Sequence, residues 1–261
     1  MIHFAHVSKI YAKELFHKRR PALQDVSFTL PKHQTLGLIG ANGAGKSTSI
    51  RLIMDFIRPT SGYVEVFGQP AANLSYRARI GYLPEIAAFP QTLTVLDLIR
   101  FTCATCGLDR KTAHNRCETL LQELDLWEAR GKRLSNYSKG MQQRANFVLA
   151  LLNDPELLIL DEPMSGLDPL GREKIIALVQ RLKDEGKTIL FCSHILGDVD
   201  RLVDQLLVLD HGQALFQGTP PAFLSAWQSA SIEEAFISCI KKHREAEHAD
   251  QIGRASCRER V

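Results

Sequence analysis

Apolar strand-like segments alternate with helical segments along this 261-residue chain, and that order predicts an α/β fold. Segments that are apolar at almost every position are typical of parallel strands buried on both faces. Three such segments occur, at Gln34–Ile39, Leu157–Leu160 and Thr188–Cys192. Helical spacing lies between them, up to Phe56 after the first segment and from Leu170 to Asp184 before the third. We therefore expect a core in which helices flank a mostly parallel sheet.

Two smaller lobes are predicted beside this core. An antiparallel β lobe comes from three segments with strand patterns, His3–Ile10, Ala22–Leu30 and Tyr63–Phe67. An α-helical lobe comes from residues 86–139, where apolar residues recur at helical spacing. Towards the C-terminus we expect a hairpin around His211-Gly212 and a final helix opened by the capping-box pattern Ser231-Ile232-Glu233-Glu234.

Composition and charge exclude several classes of protein. Apolar residues make up 45% and charged residues 23% of the chain, an ordinary balance for a globular domain. A net charge of +3 gives no indication of a nucleic-acid partner. No apolar run approaches the roughly 18 residues of a membrane span, and no export signal opens the chain, so we expect a cytoplasmic protein. The six cysteines do not match a zinc-binding register and are interpreted as reduced thiols.

A glycine-rich loop joins the first apolar strand to the helix that follows it. The loop has the spacing G-x-x-x-x-G-K-S of a phosphate-binding loop, in which glycines let backbone N–H groups approach an anion. Lys46 and the helix N-terminus add positive charge, and Ser47 carries a hydroxyl suited to Mg²⁺. Thr48 stands where a dinucleotide fingerprint needs its third glycine, so that class is excluded. The predicted nucleotide-binding residues are Gly40, Asn42, Gly43, Ala44, Gly45, Lys46, Ser47 and Thr48.

Two acidic residues follow the second apolar strand. Asp161 and Glu162 precede Pro163 at the carboxyl end of Leu157–Leu160, where open α/β sheets place their ligands. We expect Asp161 to hold Mg²⁺ through water, as in the Walker B motif. Glu162 is expected to orient or polarise the attacking water.

The segment from Leu134 to Arg144 distinguishes this chain from other proteins with a phosphate-binding loop. Its core, Tyr137-Ser138-Lys139-Gly140-Met141, resembles the L-S-G-G-Q signature of the ATP-binding cassette (ABC) family, from which Tyr137 and Met141 depart. Ser138 and Gly140 open a helix that is predicted to run to Leu152, and a helix N-terminus with a hydroxyl is a second anion site. The resemblance covers about residues 1–240, and residues 241–250 are interpreted as the end of the last helix.

The resemblance implies roles for four further residues. Tyr11 stands where the family has an aromatic side chain that stacks on adenine. Asp168, in Ser165-Gly166-Leu167-Asp168, belongs to the loop that touches the other subunit beside the nucleotide. His194 matches the switch histidine that contacts the γ-phosphate. Glu85 stands where most members carry glutamine; its carboxylate can offer Mg²⁺ an oxygen, but it adds negative charge beside the γ-phosphate.

The resemblance also implies a dimer and a membrane partner. The signature of one subunit binds the γ-phosphate of the ATP held by the other, so two Mg-ATP lie in the interface of a homodimer or of a heterodimer with a second ABC ATPase. ATP hydrolysis would drive a separately encoded integral-membrane permease of the bacterial export type. That permease would dock on Ile86–Leu93 and hold the protein at the inner face of the cell membrane.

The spacing of the motifs and the length of the chain exclude some classes of ABC protein and leave others possible. DNA-repair and chromosome ATPases insert long coiled coils or zinc modules, whereas about ninety residues separate Ser47 from Ser138 here. Ribosome-acting cassettes carry two nucleotide domains, which 261 residues do not accommodate. A non-transporting cassette that drives a membrane complex mechanically stays open as the alternative to an exporter.

Two basic segments need a separate interpretation. The run His17–Arg20 is interpreted as a solvated loop, with contact to anionic lipid headgroups as the alternative. The last eleven residues, Gln251–Val261, are interpreted as a sequencing-adapter artefact. Residues 252–261 can be written as atc gga aga gcg tcg tgt agg gaa aga gtg, which resembles a common short-read adapter read in frame. Without this tail, which has three arginines and one glutamate, the net charge falls by 3 − 1 = 2, from +3 to +1.

Overall fold

The computed structural model describes residues 1–11, 21–86 and 88–258, and it confirms the predicted α/β fold. The strands in these residues are β1 (Ile2–Ile10), β2 (Pro21–Leu30), β3 (Thr35–Ile39), β4 (Ser61–Val66), β5 (Gln69–Pro70), β6 (Ile80–Leu83), β7 (Leu157–Asp161), β8 (Thr188–Cys192), β9 (Gln205–Asp210) and β10 (Gln213–Gly218). The helices are α1 (Lys46–Ile53), α2 (Val95–Cys106), α3 (Arg110–Glu123), α4 (Lys139–Leu151), α5 (Pro169–Asp184), α6 (Leu196–Leu202), α7 (Pro220–Trp227) and α8 (Ile232–Arg258). The basic run at residues 17–20 lies outside the described residues.

Six strands form the central sheet in the order β10-β9-β3-β8-β7-β6. Neighbouring strands from β9 to β6 run parallel, whereas β10 pairs antiparallel with β9 and forms the predicted hairpin. Every residue of β3, β7 and β8 is buried, in agreement with the continuous apolar runs. Because β3, β8, β7 and β6 are neighbours, the loops that follow them meet at one edge of the sheet.

Side chains of the central strands alternate between two hydrophobic cores. In β7, Leu158 and Leu160 pack into the core that includes the helical lobe. Leu157 and Ile159 point the other way, into the core beneath the antiparallel lobe. The sheet is therefore packed on both faces, and this packing holds its loop-bearing edge in place.

The antiparallel lobe is a four-stranded sheet in the order β2-β1-β4-β5. The rings of Phe4 and Phe28 stack between its first two strands with centroids 4.4 Å apart. Helix α1 packs beneath this lobe and ends at Ile53, so the prediction that it runs to Phe56 is wrong. The chain leaves the helix because Asp55 adopts a left-handed φ of 51°, and Phe56 is then 55% exposed.

Helix α4 links the helical lobe to the central sheet. It contacts α2 and α3 on one side and β6 on the other. Ser138 is its N-cap, and the Ser138 hydroxyl accepts a hydrogen bond from the Met141 N–H over 3.2 Å. The helix ends at Leu151, one residue before the predicted end. Residues at its start and along its buried face are therefore carried by the same helix.

The final helix, α8, forms only half of the predicted capping box. The Ser231 hydroxyl accepts from the Glu234 N–H over 3.2 Å, as predicted. The Glu234 carboxylate accepts from the Ala230 N–H instead of from Ser231, because it reaches one residue further back. Across residues 1–11, 21–86 and 88–258, no helix has the length and apolarity needed to cross a membrane.

Candidate functional site

The phosphate-binding loop leaves β3 at Gly40 and enters α1 at Lys46. Close contacts require two of its glycines: a Cβ at Gly40 would lie 2.4 Å from the Leu209 carbonyl oxygen, and one at Gly45 would lie 2.7 Å from Leu23 Cδ2. Gly43 and Gly45 also have positive φ values of 80° and 114°, which favour glycine. The loop therefore has glycine where its backbone demands it, and it ends at a helix N-terminus that favours anions.

Lys46, Ser47 and Thr48 occupy the first turn of α1. Lys46 is 8% exposed, and its ammonium group donates to the carbonyl oxygens of Gly40 and Ala41 over 2.6 and 3.2 Å. The Thr48 hydroxyl lies 3.3 Å from the hydroxyl of Tyr11. Tyr11 is thus brought to the phosphate-binding loop from the end of β1, where it is 41% exposed and the Lys9 ammonium group lies 5.5 Å from the centroid of its ring.

One cavity of about 740 Å³ joins this loop to the ends of three other strands. Glu85 lines it after β6, Asp161 and Glu162 line it at the end of β7, and His194 lines it after β8. The cavity falls in the volume range of small-molecule sites, roughly 300–1,000 Å³. Residues that are far apart in sequence therefore converge on a single space that fits a nucleotide.

The carboxyl group of Asp161, on the wall of this cavity, has a raised pKa. Burial raises the pKa of Asp161 to about 6, the Cys192 thiol opposes the rise by hydrogen bonding, and the negative charges of Glu85 and Glu162 add to it. The surroundings of Asp161 therefore disfavour the negatively charged form of its carboxyl group. A cation bound there would relieve this excess of negative charge.

Glu162 and His194 form a hydrogen-bonded pair on the wall of the cavity. Nδ1 of His194 lies 2.7 Å from Oε2 of Glu162, and the His194 backbone N–H donates to the same oxygen over 3.3 Å. Glu162 is 8% exposed and has a left-handed φ of 49°, a conformation that costs a non-glycine residue about 1–2 kcal/mol. Strain of this kind is concentrated at functional sites.

Two buried polar residues of α4 connect the signature segment to this cavity. Gln143 donates to the carbonyl oxygens of Glu162 and Pro163 over 3.4 and 3.0 Å. Asn146 donates to the carbonyl oxygen of Pro84, the residue before Glu85, over 3.1 Å. Sequence reasoning missed both residues, although two polar residues three apart on an otherwise apolar helix face were a readable signal.

The predicted signature residues lie in a second cavity, of about 560 Å³. Ser138 and Gly140 line it together with Asp168, whose carboxylate caps α5 by accepting from the Gly171 N–H over 2.8 Å. Lys139, which sequence reasoning also passed over, lines the same cavity. Within one chain the structure therefore does not bring Ser138, Gly140 and Asp168 to the phosphate-binding loop.

Tyr137, a departure from the signature pattern, has a structural role. Its ring is buried, and its hydroxyl donates to the Ala129 carbonyl oxygen over 3.0 Å. The aromatic residue therefore anchors the start of α4 to the helical lobe.

The oxygen donors of the larger cavity fit Mg²⁺. Mg²⁺ keeps several waters and binds proteins through one or two carboxylates together with substrate phosphates. Asp161 offers a buried carboxylate and Ser47 an exposed hydroxyl, both on the cavity wall. The described residues contain no group of three or more His, Cys, Asp and Glu side chains placed to hold a metal without a substrate.

Comparison with known proteins gives a consistent set of relatives. An uncharacterized ABC transporter ATP-binding protein of Synechocystis is 37% identical over 82% of this chain, and the match spans 61% of that protein. The ABC-type transporter ATP-binding protein EcsA of Bacillus subtilis is 36% identical over 86% of this chain and 92% of its own length. The Nod factor export ATP-binding protein I of Sinorhizobium fredii is 34% identical over 90% of this chain and 67% of that protein. The chain thus spans less than two thirds of the Synechocystis relative.

A solved structure and a family model agree with these relatives. The structure of an ATP-binding subunit of an ABC transporter superimposes with a TM-score of 0.84 at 30% identity, covering 92% of this chain and 99% of the other. Residues 23–165, which include the phosphate-binding loop, the signature segment and the acidic strand end, match the ABC transporter family model. The family-model match, the relatives that share 34–37% of their residues with it, and the shared fold make this chain a member of the ABC transporter family of ATP-binding proteins.

Proposed function

We propose that this chain is the ATP-hydrolysing subunit of an ABC exporter, which dimerises around two Mg-ATP to drive a separate membrane permease. The observation that carries the proposal is the division of the predicted nucleotide residues between two cavities. The phosphate-binding loop, Asp161, Glu162 and His194 line one cavity, whereas Ser138, Gly140 and Asp168 line the other. A second copy of the chain that offered its signature cavity would complete the first.

Each residue of the larger cavity has its own role in phosphoryl transfer. Lys46 neutralises charge on the β- and γ-phosphates, and the N–H groups of the loop bind the phosphate oxygens. Glu162 orients the attacking water as a hydrogen-bond acceptor, while His194 holds the Glu162 carboxylate in place and reaches the γ-phosphate. Ser47 and Asp161, with Glu85 nearby, would hold Mg²⁺, which would supply positive charge that offsets the negative charge of the triphosphate.

Motion of the nucleotide site would reach the permease through the helical lobe. Asn146 and Gln143 tie α4 to the residues just before Glu85 and just after Glu162. Ile86, directly after Glu85, is 75% exposed, and Phe101 of α2 is 68% exposed. Exposed apolar side chains on the lobe that adjoins the nucleotide site support docking of a permease segment there.

The name of the Sinorhizobium relative supports export over import, since that protein is named an export ATP-binding protein. A cassette that drives a membrane complex mechanically would have the same site. Reconstitution with the membrane protein that co-purifies with this chain separates these two functions, because only the exporter moves a solute across vesicles.

The composite site is tested with the variant Glu162→Gln, which retains ATP without hydrolysing it. We expect sedimentation to show a monomer without nucleotide and a dimer with saturating Mg-ATP. The double variant Lys46→Ala/Glu162→Gln serves as the control and should stay monomeric, because its phosphate-binding loop lacks the lysine charge. A Glu162→Gln protein that binds ATP and stays monomeric, alone and with its permease, would show that the two cavities do not join.

A further inference from the structure

Lys139 stands at a position of the signature segment where the L-S-G-G-Q pattern has glycine. It is the first residue of α4, directly after the N-cap Ser138, and its side chain is exposed on the wall of the signature cavity. Gly166 leaves room for the Lys139 stem: a Cβ at Gly166 would lie 3.2 Å from the Lys139 Cβ. The lysine is thus accommodated by the loop that carries Asp168.

The charges around Lys139 leave it without an acidic partner. Arg144 lies 3.3 Å from the Asp125 carboxylate, and Lys174 pairs with the same carboxylate. Asp168 is engaged in capping α5. Within the described part of the chain, Lys139 therefore forms no ion pair, whereas the other two cations of the cavity do.

The cavity as a whole carries an excess of positive charge. Its lining includes Lys139, Arg144 and Lys174 against Asp125 and Asp168, which gives 3 − 2 = +1. A lysine ammonium group is a compact charge with three donors and is well suited to phosphate oxygens. The ligand that complements this wall is an anion with several oxygens.

We infer that Lys139 binds phosphate in trans: its ammonium group contacts the triphosphate of the ATP held by the phosphate-binding loop of a second copy of the chain. The inference rests on the proposed composite site and adds a charged residue to it. Lys139 does not line the cavity of its own phosphate-binding loop. Its substitution should therefore spare ATP binding by a monomer and weaken the dimer.

The test uses the full chain with Glu162→Gln as the parent protein. Adding Lys139→Gln should raise the dimer dissociation constant at saturating Mg-ATP by at least about tenfold, since each dimer loses two charge-assisted contacts. Lys139→Arg should restore most of the affinity, and fluorescent-ATP affinity of the monomer should be unchanged in both. Lys111→Gln is the matched control, because Lys111 is an exposed lysine in the first turn of α3 and lies outside the cavity.

The outcomes separate this inference from the proposed function. If Glu162→Gln binds ATP and stays monomeric, alone and with its permease, the composite site is wrong and the role of Lys139 is wrong with it. If Glu162→Gln dimerises and Lys139→Gln dimerises as tightly, only the role of Lys139 is overturned. An equal loss in Lys111→Gln, or no recovery in Lys139→Arg, would also overturn it, because the effect would then not depend on a cation at this position.

Discussion

Nδ1 of His194 lies 2.7 Å from Oε2 of Glu162, although the two residues are on different strand ends. Their proximity follows from the parallel register of β7 and β8, in which Asp161 pairs with Cys192. Glu162 is one residue and His194 two residues beyond that pair. The sheet itself therefore sets the distance between the proposed water-orienting carboxylate and the histidine that fixes it.

Replacing His194 should separate hydrolysis from binding. His194→Ala removes the imidazole partner of Glu162 and the proposed contact to the γ-phosphate, so we expect kcat for ATP hydrolysis to fall by about 10²-fold or more. ATP affinity should change by much less, because the loop and Lys46 are untouched. Steady-state ATPase assays and fluorescent-ATP titrations measure the two effects. The control His114→Ala, in the helical lobe, should behave as wild type; a His194→Ala enzyme with near-normal kcat would contradict the assigned role.

Lys46→Ala should abolish hydrolysis without unfolding the protein. Its ammonium group is the only side-chain cation on the described wall of the nucleotide cavity, so its loss removes the main neutralising charge for the phosphates. We expect ATPase activity to fall by ~10²-fold or more and the melting temperature to change little. Lys32→Ala, at an exposed turn, is the control. Activity close to wild type in a folded Lys46→Ala protein would contradict the assignment of this loop as the phosphate-binding loop.

Gln143→Leu should weaken the link between the signature helix and the acidic strand end. The carbonyl oxygens of Glu162 and Pro163 would lose their buried donor, which costs about 1–3 kcal/mol in the free energy of unfolding. Because Glu162 would be less well held, kcat should fall while ATP affinity is retained. Denaturant unfolding and ATPase assays test both parts, with exposed Gln122→Leu of α3 as the control. Unchanged stability would contradict the stabilising role assigned to these two hydrogen bonds.

Glu85→Gln removes one negative charge that raises the pKa of Asp161. We expect ATP to bind several-fold more tightly with the fold unchanged, since repulsion beside the γ-phosphate is reduced. Titrations with ATP at fixed Mg²⁺, together with ATPase rates, measure the change against exposed Glu128→Gln. An inactive Glu85→Gln enzyme would instead assign the carboxylate a chemical role of its own.

Local patterns predicted the strands, the loop and the two acidic residues because each of these features depends on residues that are consecutive in the sequence. The continuous apolar runs identified β3, β7 and β8, and glycine spacing identified the loop around Lys46. The bonds from Gln143 to Pro163 and from Asn146 to Pro84 were not predictable in the same way. They join residues twenty and sixty-two positions apart, and only the packing of α4 against the sheet brings them together. The end of α1 was missed for a local reason, since the left-handed turn at Asp55 has no strong sequence signal.

The tail Gln251–Val261 gives the last prediction. Helix α8 continues to Arg258, so part of the tail extends this helix, and the described side chains of α8 that are buried in the core, those of Ile232, Ala235, Cys239 and Ile240, precede the tail. Deletion should therefore leave the melting temperature and ATPase rate unchanged within error, because these four buried residues are retained. A matched deletion that removes residues 236–261 should lower the melting temperature, since Cys239 and Ile240 would be lost from the core. Resequencing the gene from its source should give different codons after about Asp250, and recovery of the same codons would refute the adapter interpretation.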